Sequence, residues 1–395
     1  MIPVWLKLLG VAVAGKVLFD ALAEDEDEEM YNCHDDILAY QNEKVTLPKV
    51  EQDEMRDRRN TNRQRLKDGL KRDGEPAPTG FQSQGSYAHR TMVQHKERDY
   101  DIDDGVYFWK DDLKGPNGGD KTAGQAKEMV RKALHDERFN RPPEVRTNCV
   151  RVYYNAGYHV DVPVYRKVKT TNIWGEEEVH YEIASSDWKR SDPAEVNRWF
   201  KRENERQSPD ATNGRQLRRD VRLNKAFARS RESWRPRIAS GFMITTLIVN
   251  ECYRANAARE DKALYNTMVA MRDRLNWDLE IKHPTVEGEM LTSGPDDART
   301  KFLREKLDWA IGELGVLFDP GCTREQALKA WDKVFNTTFF SERLEDEKAT
   351  EQKSEGAGTA AAALGAGVAA ALLIKGAEQA AAEEPVDKRG GGRYA

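Results

Sequence analysis

The run Asp99-Tyr100-Asp101-Ile102-Asp103-Asp104-Gly105-Val106-Tyr107-Phe108-Trp109 crowds carboxylates into a stretch whose aromatic and β-branched residues predict a strand. Alternate side chains of a strand share a face. Asp101 and Asp103 therefore project together, about 6.6 Å apart at Cα, while Tyr100 and Ile102 point the other way into a core. Two like charges on one face cost energy unless something cationic lies between them. A pair of Mg²⁺ ions roughly 3.5–4 Å apart, shared with a phosphate chain, meets that need. An Asp-x-Asp pair alone is equally an acidic, solvated turn, so its neighbours decide.

Two neighbours matter. Gly85-Ser86 precedes the acidic strand in Gln84-Gly85-Ser86-Tyr87-Ala88-His89-Arg90-Thr91. Glycine lets backbone approach a ligand closely, and a turn there aims N–H groups at phosphate oxygens while the serine hydroxyl adds a bond. Further on, Tyr158-His159-Val160-Asp161-Val162-Pro163-Val164-Tyr165 reads as a strand with its valines on one face and Asp161 on the other. Aspartate is disfavoured in strands and wants a partner there. Beside 99–109, Asp161 would complete a three-carboxylate metal site and help deprotonate a hydroxyl. On an edge strand it would simply face water.

The remaining sequence bounds the class. At 395 residues the chain is long enough for two domains with extensions. Lys plus Arg number 63 against 68 Asp plus Glu, a net charge of −5 that argues against coating nucleic acid, and no stable DNA or RNA binding is expected. Cys33, Cys149, Cys252 and Cys322 are scattered without zinc spacing, which fits a reducing cytoplasm. Residues 1–30 hold an apolar helix and an acidic run, 31–210 a mixed α/β region, 211–345 a helical region, and 346–395 an Ala/Gly-rich segment with a polar tail. The helical stretch within 43–73 is expected to end at Gly74. The apolar segments 2–22 and 356–374 are the two places where the chain could touch a membrane, giving a cytoplasmic protein with an optional membrane association.

Taken together, Gln84-Gly85-Ser86-Tyr87, Thr91, Asp101-Ile102-Asp103-Asp104-Gly105-Val106-Tyr107 and His159-Val160-Asp161-Val162-Pro163 resemble the bacterial cGAS/DncV-like nucleotidyltransferases (CD-NTases), the synthases of CBASS antiphage defence. The likeness extends over roughly 50–340. It implies an α+β fold: a polymerase-beta-like nucleotidyltransferase core, a mixed sheet with helices, at 31–210. A helical domain at 211–345 would make the molecule bilobal with its active site in the cleft. Asp99-Tyr100-Asp101 is also an Asp-x-Asp pair, and its distance from Gly85-Ser86 suits the wider superfamily slightly better. The residues after Asp101 and Asp103 favour those two, with Asp99 beside them.

By the same resemblance, Gln84, Gly85 and Ser86 would hold the donor triphosphate. Asp101, Asp103 and Asp161 would be the catalytic metal ligands, for two Mg²⁺ ions or Mn²⁺. Lys225 would neutralise the triphosphate, as a point charge can, and Ser240 would bond it. Tyr87 and His89 could stack on a base. The implied activity is synthesis of a cyclic di- or trinucleotide messenger from ATP and/or GTP with release of pyrophosphate, read by a downstream cyclic-nucleotide effector. The tail Gly390-Gly391-Gly392-Arg393-Tyr394-Ala395 has the flexibility to enter a ubiquitin-transfer-like ligase acting on Ala395. The alternatives are a linear-oligonucleotide or RNA-end nucleotidyltransferase, and an inactive nucleotide-binding or membrane-scaffold protein.

Overall fold

The computed structural model describes residues 29–94, 100–154 and 158–361. Segment 2–22, Asp99, the Asn155–Gly157 turn, most of 356–374 and the Ala395 tail lie outside the described residues. In chain order the elements are α1 (His34–Tyr40), α2 (Lys49–Arg72), β1 (Gly80–Ser83), α3 (Gly85–His89), β2 (Tyr100–Trp109) and α4 (Ala123–Leu134). There follow β3 (Glu144–Val145), β4 (Val150–Tyr153), β5 (Tyr158–Val162), β6 (Val164–Thr171), β7 (Glu177–Ala184) and β8 (Trp188–Arg190). The rest is helical: α5 (Pro193–Gln207), α6 (Gln216–Arg229), α7 (Gly241–Leu247), α8 (Glu260–Trp277), α9 (Ala298–Leu314), α10 (Arg324–Phe335) and α11 (Phe339–Ala361). A mixed α/β half thus precedes a helical half, as the pattern predicts.

β2 organises the sheet. It pairs antiparallel with β1, runs parallel to β5 from Tyr100 opposite Tyr158 to Asp103 opposite Asp161, and then parallel to β6 from Val106 opposite Val164. Pro163 interrupts β5 and β6 because it has no N–H to give. Its carbonyl still accepts from the Val106 N–H at 2.9 Å, so the register carries across the break. β4 pairs antiparallel with β5, and β7 with β6. Asp161 therefore sits inside the sheet and is 8 % exposed, which excludes the water-facing edge position.

One face of the sheet is apolar. Tyr100, Ile102, Val106 and Phe108 of β2 pack with Val160 and Val164 against Met55, Leu66 and Leu70 of α2 and Val130 and Ala133 of α4. Each such fully buried aliphatic side chain contributes roughly 1.5–3 kcal/mol of transfer free energy. α2 stops at Arg72, where Gly74 takes φ +69°. Covering this face leaves the Asp101/Asp103 face for other work.

In the helical half, α6 is buried along most of its length despite its basic sequence: Leu217, Val221, Leu223 and Phe227 fill the core. Arg219 is neutralised by Glu260 at 2.7 and 3.0 Å. Residues 31–45, assigned by sequence to the 31–210 region that holds the sheet, make contacts with this helical half. Tyr40 lies on Phe335 at 4.6 Å, Asp36 accepts two bonds from Arg324 at 3.0 Å, and the Cys33 N–H donates to Asp261 at 2.7 Å. Such partners lie more than two hundred residues away and leave no local trace. The described residues through Ser341 gather into one compact unit, and those from Glu342 belong to a second. No helix among the described residues is long and apolar enough to cross a membrane.

Candidate active site

The register of β4, β5 and β2 lays out two rows on one face of the sheet. In the first, Arg151 is opposite Asp161 and Asp161 is opposite Asp103; in the second, Tyr153 is opposite His159 and His159 is opposite Asp101. Arg151 grips Asp161 with both edges of its guanidinium, Nε to Oδ1 at 2.8 Å and Nη2 to Oδ2 at 2.7 Å. It also reaches Asp101 Oδ1 at 3.3 Å, and His159 Nδ1 lies 3.5 Å from the same oxygen. Asp104 belongs to the opposite face. There Arg63 holds it bidentately at 2.6 and 2.6 Å, with Ser83 donating at 3.0 Å, so the run's extra carboxylate is structural.

Asp103 is the unusual member. It is only partly exposed, and among the described residues its carboxylate makes no hydrogen bond or ion pair. Burial, then the neighbouring charges of Asp161 and Asp101, push its pKa up to about 7, against the lowering pull of Arg151. Gly85 adopts φ +60°, a conformation open to glycine. A Cβ placed there would lie 2.5 Å from Asp103 Oδ2, so the glycine is what lets the loop close over this carboxylate.

From Gly85 a chain of contacts leads into the helical half. Ser86 is the second residue of α3, and its carbonyl accepts from the Thr91 N–H at 2.9 Å. The fully buried Thr91 in turn accepts from Lys225 Nζ at its hydroxyl (2.9 Å) and its carbonyl (3.3 Å). Lys225 has no carboxylate partner among the described residues. Burial, then Arg229, lowers its pKa to about 7. Gly241 packs on its stem, where a Cβ would come 3.1 Å from Cε, and the adjacent Ser240 caps α7 by accepting from the Met243 N–H at 3.2 Å. The structure thus links Asp103, Gly85, Ser86, Lys225 and Ser240 in one continuous set, with Asp101 and Asp161 in the rows beside Asp103.

Three expectations turn out differently. Gln84 does not present its amide to a ligand: it is 7 % exposed, fills the space Gly105 leaves and accepts from Tyr165 Oη at 3.0 Å. Its backbone N–H is committed to the Asp103 carbonyl at 2.8 Å. Tyr87 packs against the sheet core, and His89 is buried against Phe200, ring centroids 4.6 Å apart and nearly parallel. Neither is placed to stack on a base. Arg151 was missed, although a hairpin turning at Asn155-Ala156-Gly157 puts residue 151 opposite residue 161 once the register is counted.

Residues 79–165 match the family model described as "Cyclic GMP-AMP synthase DncV-like, nucleotidyltransferase domain". That stretch spans β1, α3, β2, β4 and β5, and so contains all three aspartates and Gly85-Ser86. Residues 79–165 are a DncV-like nucleotidyltransferase domain. The fold agrees over a longer span. Escherichia coli DncV in a 3′-deoxy GTP bound form is 20 % identical, with a TM-score of 0.56 over 74 % of this chain and 92 % of that one. Vibrio cholerae DncV, a cyclic AMP-GMP synthase described as a prokaryotic cGAS homolog, is 18 % identical, with a TM-score of 0.60 over 78 % and 97 %. The same synthase in complex with the linear intermediate 5′ pppA(3′,5′)pG gives 19 % and 0.59 over 78 % and 96 %. Beyond that matched stretch the likeness shows the fold, a mixed-sheet core with a C-terminal helical region.

Among the described residues no three His, Cys, Asp or Glu side chains are already grouped around one cation position. The reason is visible at Asp161, both of whose oxygens are taken by Arg151. The donor chemistry nevertheless fits a hard divalent cation: Asp103 is an unpaired, partly buried carboxylate, and the Asp101 side chain beside it is 52 % exposed.

Proposed function

We propose that this nucleotidyltransferase makes a cyclic di- or trinucleotide messenger from ATP and/or GTP, releasing pyrophosphate, and that it serves CBASS antiphage signalling. The unpaired Asp103 carboxylate carries the reading: it faces its register partner Asp161, lies under Gly85, and is joined through Ser86 and Thr91 to an unpaired lysine. Acidic and basic groups are each left incomplete in the sense that a metal-bound triphosphate would complete. The likeness to the DncV cyclic GMP-AMP synthase domain, and the 3′-deoxy GTP and linear 5′ pppA(3′,5′)pG held by the similar DncV structures, support the choice of cyclic product and of purine triphosphates.

Asp101 and Asp103 would hold Mg²⁺ or Mn²⁺, with Asp161 as the third carboxylate once its grip on Arg151 loosens. When bound, such a cation offsets the charge of the triphosphate and lowers the pKa of a coordinated hydroxyl. The Gly85-Ser86 turn and the Ser86 hydroxyl would hold the donor phosphates. Lys225 and the Ser240 hydroxyl would neutralise and orient the far end of that chain. Asp161 would accept the proton of the attacking ribose hydroxyl as pyrophosphate leaves. Most of the acceleration in such a transfer comes from position and charge rather than covalent chemistry.

The test is incubation of the full chain with the four radiolabelled nucleoside triphosphates and Mg²⁺ or Mn²⁺, followed by phosphatase and chromatography. A phosphatase-resistant product confirms ring closure, and omitting triphosphates singly names its bases. Phosphatase-sensitive oligomers would replace the reading with a linear polymerase.

A further inference from the structure

A cavity of about 410 Å³ opens at the C-terminal end of α3, between α5 and the start of α6. Its charged lining is Lys201, Arg215 and Arg218 against the single carboxylate of Glu205. Arg218 makes no side-chain hydrogen bond or ion pair among the described residues, and its Nε is buried without a partner. The guanidinium lies over Phe200, 5.9 Å from the ring centroid, and His89 stacks on the same ring. His89 is 4 % exposed, and the polar side chain beside its imidazole is the Asn197 amide, which also lines the cavity. Two arginines and a lysine around one carboxylate still carry net positive charge, and buried N–H groups left without acceptors are costly. The cluster is completed by an anion that accepts from several donors at once, and a planar guanidinium matches the oxygens of phosphate.

We propose that this cavity is a binding site for a small phosphorylated molecule, held by Arg218 and Arg215 with Lys201 at the rim and His89 at the floor. The local charges agree with this. Burial, then Arg90 and Arg215, lowers the Arg218 pKa to about 10 against the pull of Glu205, and burial, then Lys225, lowers that of His89 to about 3 against a hydrogen bond from Asn197. The imidazole is therefore neutral, so its Nε2 can carry a proton to donate without adding charge. The site shares its helices with the catalytic set but not its residues: Arg218 lies two turns before Lys225 on α6, about 10 Å along the axis.

Isothermal titration of the full chain with sodium pyrophosphate in EDTA tests this, because without divalent cation the carboxylate rows offer nothing to an anion. We expect wild type and Lys225→Met to bind alike and Arg218→Met to lose at least about tenfold in affinity. Arg218→Lys, which keeps the charge but not the fork, should fold in any case and lose several-fold. A loss confined to Lys225→Met, equal binding by wild type and both Arg218 variants, or no binding at millimolar pyrophosphate overturns the assignment. A loss confined to Lys225→Met would place the pyrophosphate at the phosphate end of the catalytic set and so support that reading while overturning this one, and the other outcomes leave the catalytic reading untouched.

Discussion

The sheet face of β2–β5 and the buried stripe of α6 solve the same problem with opposite signs. On the sheet, carboxylates are brought together in strand register, and one arginine, Arg151, offsets part of their charge. On α6, Lys225 is buried and its ammonium donates, among the described residues, to the neutral oxygens of Thr91. Where a pair is purely structural the protein completes it, as at Arg63–Asp104 and Arg219–Glu260. Asp103 and Lys225 are left incomplete, each with its pKa displaced towards neutrality. Buried charge left incomplete in this way is costly, and it marks a candidate ligand group.

The largest effect should come from removing the acidic side altogether. Asp101→Ala with Asp103→Ala is expected to lower turnover by at least about a thousandfold while leaving the far-ultraviolet dichroism unchanged, because the metal's charge acts in the transition state. Gly85→Ala comes next. Its Cβ would collide with Asp103 at a φ that alanine rarely adopts, so a loss of about a hundredfold is expected, with the purified protein still monodisperse. On the basic side, Lys225→Met should raise the KM for triphosphate by about tenfold or more and lower kcat less, which steady-state kinetics will separate. Equal losses in kcat and KM for the acidic and basic variants would erase the distinction drawn between the two regions.

The smallest effect is on stability, and its sign is unusual. The folded chain holds the Asp103 proton more tightly than the unfolded chain does. That contribution to stability is complete below pH about 4 and is lost as pH rises through about 7. Asp103→Asn should therefore raise the melting temperature of the metal-free protein by a few degrees at pH 8 and leave it nearly unchanged at pH 4. Lys225, with its lowered value, contributes in the opposite sense in both proteins and cancels from the comparison.

Much of this was legible in the residues. Alternation in 100–109 and 158–165 predicts strands, and their apolar faces fix which side the aspartates take. The placement of Asp161 beside Asp103 then follows from pairing those strands. What escaped depends on contacts that no local pattern records. Gln84 turns inward because Gly105 leaves room for its amide beside Tyr165, and His89 is buried because Phe200 arrives from α5 more than a hundred residues later. Arg151 lay within reach, since only the hairpin register separates it from Asp161. The docking of 31–45 on the helical half rests on Arg324 and Phe335, at the far end of the chain.

The central claim is that Asp103 is a carboxylate the protein leaves unpaired for a cation. Carbon-13 NMR of the aspartate side chains in the full chain, titrated with and without Mg²⁺, tests it directly. The account predicts that the Asp103 resonance titrates near pH 7 without metal and that Mg²⁺ shifts the midpoint down by more than about one unit. A midpoint near 4 that Mg²⁺ does not move would contradict it.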